Sequence, residues 1–296
     1  LRMSLTRVND DLAFASSIID RVDSVTLRRF QAEDFSARTE EGLPPAIDVD
    51  REAERIIRAM LGRSRSRDAI YGEEHGGILL RSARRWIIDP IDGTKNFVRG
   101  VPVWGTLLAL EEEGEIVVGI VSAPSLGRRW WAAKGVGAFT GKSWVGARRL
   151  RVSEVSDLAE ASMSYSSLKG WADRGQLRAF LRLAQRVWRS RAYGDFWSFM
   201  LVAEGAVDLA CEPELELFDM AALVPIVTEA GGSFTSLHGE PGPWGGCALA
   251  TNGALHPEVL EILGSIRDED AVGEGAPSLS TSTRSGSSSS RSRPEA

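Results

Sequence analysis

The sequence predicts an α+β first half joined to an α/β second half, and three observations carry that expectation. Residues 4–30 repeat apolar side chains at helical spacing, residues 86–133 break into short apolar runs of strand length, and beyond about 150 short strands alternate with helices. Taken in order, Leu5, Val8, Leu12, Ala15, Ile19 and Val22 mark one face of a long amphipathic helix. A second helix is expected from about Asp50 through Ala53, Ile56, Ile57, Met60 and Leu61, with a solvated loop at Arg63–Arg67 after it. Trp86-Ile87-Ile88 reads as a buried strand ending at Asp89. Strands Trp104–Glu111, Ile116–Ser122 and Arg129–Ala133 follow, split by turns at Glu113-Gly114 and Pro124–Gly127. This first half, 1–150, is expected to carry an antiparallel or mixed sheet.

The second half, 151–264, alternates. Strand Ala161–Ser164, helix Arg174–Trp188, strand Arg191–Tyr193, helix Phe196–Gly205 and strand Val207–Cys211 come first. Helix Asp219–Ala230, strands Ser233–Thr235 and Ala248–Thr251, and helix Pro257–Leu263 complete the set. Residues 265–296 are rich in Ser, Gly and Arg with almost no large apolar groups. They cannot bury enough surface to offset ordering entropy, so disorder is expected there.

A chain of 296 residues with 43% hydrophobic and 26% charged residues matches a soluble globular protein. Its net charge of −6 argues against nucleic acid and acidic lipid as partners. Cys211 and Cys247 stand in no metal or redox spacing, which suits a reducing cytoplasm and excludes a zinc site. Acids at Asp10, Asp11 and Asp20 make the N-terminal segment an amphipathic helix rather than a signal peptide, and no run is long enough to cross a bilayer. Leu1 in place of Met points to a non-standard start or a processed end, with Met3 as a candidate start.

The chemistry concentrates in Asp89-Pro90-Ile91-Asp92-Gly93-Thr94. Two acids at a rigid turn repel unless a cation lies between them, and the Gly93 and Thr94 amides at a helix start form a cradle for a phosphate oxygen. Gly72-Glu73-Glu74 and Asp219, at the head of an apolar helix, are acidic partners; Asp219 also suits an N-cap. Asp and Glu oxygens select Mg²⁺. The three histidines, His75, His238 and His256, show no HExxH spacing, and GxxxxGK[ST] and GxSxG are absent.

Gly72-Glu-Glu74, Trp86-Ile-Ile-Asp-Pro-Ile-Asp-Gly-Thr94, Phe218-Asp-Met-Ala-Ala222 and Thr228-Glu-Ala-Gly-Gly232 together resemble the inositol monophosphatase-like family over roughly residues 5–263. The resemblance implies a layered αβαβα sugar-phosphatase fold, two or three Mg²⁺ ions per site and a homodimer. It implies metal ligands at Glu73, Asp89, the Ile91 carbonyl, Asp92 and Asp219. Catalytic roles fall to Thr94, Asp50 and Glu73, with Thr94 and Asp50 orienting and deprotonating a metal-activated water. Asp50 equally suits a helix cap. Phe218 departs from the Trp usual in the family but keeps an aromatic wall.

Four segments, Thr94–Trp104, Arg129–Ala132, Tyr193–Phe196 and Glu212–Glu214, resemble the actinobacterial-type histidinol-phosphate phosphatases. That resemblance implies hydrolysis of L-histidinol phosphate in the cytoplasm. A substrate carrying an amine and an imidazole calls for carboxylates in its pocket, and Asp195 and Glu212 stand at element ends where a leaving group would lie. Asp195 also suits an N-cap after Gly194. Asn252 is a third candidate contact, reaching across a dimer, against a plain turn role. Two rivals stand beside this reading: a phosphatase for inositol 1-phosphate or another sugar phosphate, and a non-catalytic phosphate- or metal-binding relative.

Overall fold

A computed structural model of the chain describes residues 2–30, 45–77 and 83–264. The serine-rich segment 265–296 lies outside the described residues.

Two helices, α1 (Arg2–Phe30) and α2 (Pro45–Ser64), form the outer layer of the first half. They cover one face of an eight-stranded sheet built from β1 (Ala69–Gly72), β2 (Gly76–Gly77), β3 (Arg84–Asp92), β4 (Gly105–Glu112), β5 (Glu115–Ala123), β6 (Arg128–Ala133), β7 (Gly137–Thr140) and β8 (Arg148–Arg149). The spatial order is β2-β1-β3-β4-β5-β6-β7-β8, with β1 parallel to β3 and every other neighbour antiparallel. Strand alternation sorts the side chains. Trp86, Ile88, Leu108, Leu110 and Ile120 pack on Leu12, Ile19, Val22, Ile57 and Leu61 of the two helices. Ile87, Leu107, Ala109 and Val121 point the other way. The β4–β5 hairpin closes on Glu113 (φ 54) and Gly114 (φ 88), two left-handed residues as a tight hairpin requires.

The second sheet has five strands: β9 (Ser162–Ser164), β10 (Arg189–Arg191), β11 (Leu209–Glu212), β12 (Ser233–Thr235) and β13 (Ala248–Thr251), in the order β10-β9-β11-β13-β12. Between the sheets lie α6 (Asp195–Ala203), α7 (Leu217–Ala221) and α8 (Leu223–Glu229). From Ser198 to Ala203 every residue of α6 is buried, as a helix between two sheets requires. On the far side, α4 (Leu168–Asp173), α5 (Leu177–Arg186) and α9 (His256–Gly264) cover Met163, Leu209, Cys211 and Leu249. The layers therefore run αβαβα. A short helix, α3 (Thr94–Val98), caps the end of β3.

Several boundaries differ from expectation. The second helix begins at Pro45, so Asp50 lies inside it and is not its cap. The expected helix 174–188 is the shorter α5, starting at Leu177, because Gly175 at φ 65 forms the turn that separates it from α4. The expected helix 219–230 is two. Pro225 lacks the N–H that would bond the Ala221 carbonyl, and the chain breaks between α7 and α8. The expected strand 191–193 sits two residues earlier, and β7 and β8 are too short and, in β8, too polar to carry a strand pattern.

Candidate active site

The site begins with a bulge at the end of β3. Asp89 pairs with Leu107 and Asp92 with Gly105, so three steps on β3 oppose two on β4. In a regular strand, residues three apart face opposite sides. The extra residue turns Asp92 back toward the side Asp89 occupies. Pro90 donates nothing to the ladder, and its carbonyl accepts the buried Thr106 hydroxyl at 2.8 Å. Beneath the turn Ile91, Phe97, Trp104 and Val49 form a small apolar cluster that fixes it. Gly93 (φ 81) then starts α3; a Cβ there would also lie 2.9 Å from the Val103 carbonyl.

Carboxylate oxygens of Asp89, Asp92 and Asp219 all lie within 4.8 Å of one another. Asp219 is not the N-cap of α7; Glu216 is. Asp219 stands three residues on and accepts the Glu216 N–H at 2.7 Å, the reciprocal half of a capping box. Asp92 accepts the Phe196 N–H at 2.7 Å, tying the first half to the start of α6. Glu73, at the cleft rim, is placed by its own N–H on the Ile88 carbonyl (3.2 Å), and its carboxyl meets Asp89. Asp50 is buried on α2 with its Oδ1 unpartnered.

Burial, reinforced by mutual repulsion, raises the pKa of Glu73, Asp89, Asp92 and Asp219. Asp50 is pushed up to about 9 by burial and by Glu73, Glu74 and Glu54. Such a group of acids stays ionised only around a cation. Asp89 Oδ1 is buried without a protein partner, and the converging donors are carboxylates with no His or Cys among them. The donor set fits a hard divalent ion.

A cleft of about 590 Å³ opens over these groups, walled by Thr94, Ser166, Tyr193 and Asp195 among others. Asp195 is the first residue of α6, with Gly194 as the cap, and it holds a left-handed φ of 48. Its N–H donates to Ser166 Oγ (2.8 Å) and its Oδ2 accepts from Asn96 Nδ2 (2.8 Å). Asp adopts this left-handed conformation more readily than most side chains, and the two hydrogen bonds hold it there. An adjoining cavity of about 260 Å³ shares Asp92, Asp195 and Asp219 and reaches Glu212 at the end of β11. Glu212 is buried with Oε1 unpartnered, and burial, offset partly by Ser166, lifts it to about 8.

A profile of the inositol monophosphatase family matches residues 5–268. The chain belongs to the inositol monophosphatase family. Histidinol-phosphatase of Streptomyces coelicolor is 56% identical over 258 residues, 86% of this chain and 97% of that protein. Histidinol-phosphatase of Mycobacterium tuberculosis is 54% identical over 255 residues, 86% of this chain and 98% of that protein. Among solved structures, an inositol monophosphatase from Zymomonas mobilis superposes with a TM-score of 0.77 at 28% identity, covering 86% of this chain and 98% of that one. Members of this family are metal-dependent phosphatases, and the chain is accordingly a phosphoric monoester hydrolase. No helix among the described residues is long and apolar enough to cross a membrane.

Within this inositol monophosphatase-family site the cleft gathers Glu73, Asp89, Ile91, Asp92, Gly93, Thr94, Asp195 and Asp219. Glu212 lines the adjoining cavity, and Asp50 lies close enough to Asp89 to raise its pKa. The Thr94 hydroxyl donates to the Ile91 carbonyl at 2.9 Å. Phe218 packs on Tyr71 with ring centroids 6.4 Å apart. Asn252 is elsewhere. Its amide donates to Ser153 Oγ (2.9 Å) and the Val155 carbonyl (2.7 Å), and its Oδ1 accepts the Leu255 N–H, which is the turn role rather than a contact in the cleft. Two residues escaped sequence reasoning. Ser166 carries no signal beyond following a strand, whereas Glu54 sits one helical turn after Asp50 and was readable from that spacing.

Proposed function

We propose that this phosphatase hydrolyses L-histidinol phosphate to L-histidinol and phosphate, using two or three Mg²⁺ ions, as a cytoplasmic homodimer that binds no nucleic acid. The observation that carries the substrate reading is the pair Asp195 and Glu212. Both acids flank the part of the cleft beyond Asp92 and Asp219, both are desolvated, and Glu212 keeps an oxygen without a protein partner. Desolvated carboxylates, with one Glu212 oxygen left unpartnered, favour a cationic leaving group over a neutral polyol. The two histidinol-phosphatases at 54–56% identity support the same substrate. The net charge of −6 and the buried free thiols of Cys211 and Cys247 fit the partner and compartment readings.

Glu73, Asp89, the Ile91 carbonyl, Asp92 and Asp219 would hold the Mg²⁺, which supplies positive charge to polarise the phosphoryl group and lower the pKa of water. The remaining work belongs to the chain. The Gly93 and Thr94 amides face a phosphate oxygen. Asp50 and Thr94 orient the attacking water, and Asp50 takes its proton. Asp195 and Glu212 hold the amine and imidazole so that the ester oxygen points away from the incoming water. Attack is in line, with no covalent enzyme intermediate.

The test is phosphate release from L-histidinol phosphate, inositol 1-phosphate and fructose 1,6-bisphosphate at saturating Mg²⁺. The proposal expects the highest kcat/KM for histidinol phosphate; preference for inositol 1-phosphate would remove it. Asp195→Asn retains a residue that tolerates left-handed φ and deletes only the charge. It should lower kcat/KM for histidinol phosphate by about 10- to 100-fold, with p-nitrophenyl phosphate hydrolysis little changed. Equal losses on both substrates would take Asp195 out of recognition.

A further inference from the structure

We infer that Glu54 is a positioning residue that sets Glu73 for metal binding, an inference that rests on the metal-dependent reading above. Asp50, Glu54 and Arg58 are spaced four apart on α2 and so share one face. Glu54 has no exposed side-chain surface and belongs to none of the groups that meet the metal or the substrate. Its Oε2 accepts the N–H of Glu74 at 2.8 Å and of His75 at 3.4 Å, the two residues that directly follow Glu73. Its Oε1 accepts from Arg58 Nε at 2.6 Å, while Arg58 also donates to the Gly76 carbonyl. The turn carrying Glu73 is thus gripped from one helix at three successive points, Glu74, His75 and Gly76.

Gly72 explains itself in the same terms. Its backbone does not need glycine, since its φ is not left-handed. A Cβ at Gly72 would instead lie well inside contact distance of the Glu54 carboxylate. The glycine before Glu73 makes room for the buried acid that fixes the turn. A buried carboxylate is costly unless paired, and here Arg58 and two amides compensate it while leaving Glu73 free. One helix therefore presents Asp50 directly and aims Glu73 through Glu54.

Two substitutions approach the contact from opposite sides. Glu54→Gln removes the charge that holds the turn amides, and Gly72→Ala pushes the carboxylate away from them. Mg²⁺ binding is read by calorimetry without substrate, beside KM and kcat at saturating Mg²⁺ and the melting temperature. The expected result is Mg²⁺ affinity weakened roughly 10- to 100-fold in both variants, as for groups that orient metal ligands, with KM for the monoester within about twofold of wild type at saturating metal. Mg²⁺ affinity unchanged in both variants, with only the melting temperature lowered, would reduce Glu54 to a structural role and overturn the inference. If Glu54→Gln does not fold, Gly72→Ala decides alone. A wild-type protein that binds no Mg²⁺ would remove the metal reading itself, an outcome distinguishable from one in which only the variants match wild type.

Discussion

Glu212 is 5% exposed, and burial raises its pKa from 4.5 to about 8. The folded state therefore binds that proton more tightly than the unfolded chain. The stability this confers is full below pH 4.5 and is lost as pH rises through about 8. Glu212→Gln needs no proton, so it should melt above wild type at pH 9 and close to it at pH 5, while losing preference for a cationic leaving group. A variant that melts below wild type at both pH values would contradict the assignment. Residues of this kind differ in how well sequence exposes them. Asp89 and Asp92 were legible because their relation is local, six residues of one turn. Asn252 followed a strand end as a contact residue should, yet its amide is held by Ser153 and Val155, about a hundred positions earlier. Nothing local could report that.

At the scale of elements, the β3 bulge and the α9 start do the positioning. The bulge is implicit in Asp-Pro-Ile-Asp, since only an irregular strand brings acids three apart to one side. The break near Pro225 was also present as a proline, but apolar spacing continued through it and concealed it. His256 begins α9 with Nδ1 3.0 Å from Thr251 Oγ1 and Nε2 3.0 Å from Thr235 Oγ1, fastening the helix to β12 and β13. The Thr235 hydroxyl donates to the Ser236 carbonyl, which leaves its oxygen free to accept from Nε2. Burial lowers the His256 pKa from 6.5. The unfolded state then binds more protons once pH falls below about 6.5, and stability declines with acid. The melting-temperature advantage of wild type over His256→Gln should shrink from pH 7.5 to pH 5. A constant difference would mean that His256 does not carry this linkage.

For the whole molecule, the site lies where the halves meet. Asp89 and Asp92 come from the first sheet, Asp219 from α7, and the cluster between the sheets mixes Ile87 and Trp130 with Phe196, Met220 and Ala248. The layer order was legible from alternating periods together with family resemblance. Which faces meet was not, because amphipathic patterns say that a face is buried but not against what. A cation shared across the junction should stabilise the fold by about 2.7 kcal/mol at a hundred times its Kd. That corresponds to a melting temperature raised roughly 5–10 °C, and Asp219→Asn should abolish the rise.

The most direct measurement is phosphate release from L-histidinol phosphate by wild type, Asp89→Asn and Asp219→Asn, after EDTA treatment and during Mg²⁺ readdition. A site assembled from both halves around a divalent ion predicts no release with EDTA, recovery with Mg²⁺, and at least about a 100-fold loss in each variant. Release that survives EDTA, or full activity in Asp219→Asn, would contradict it.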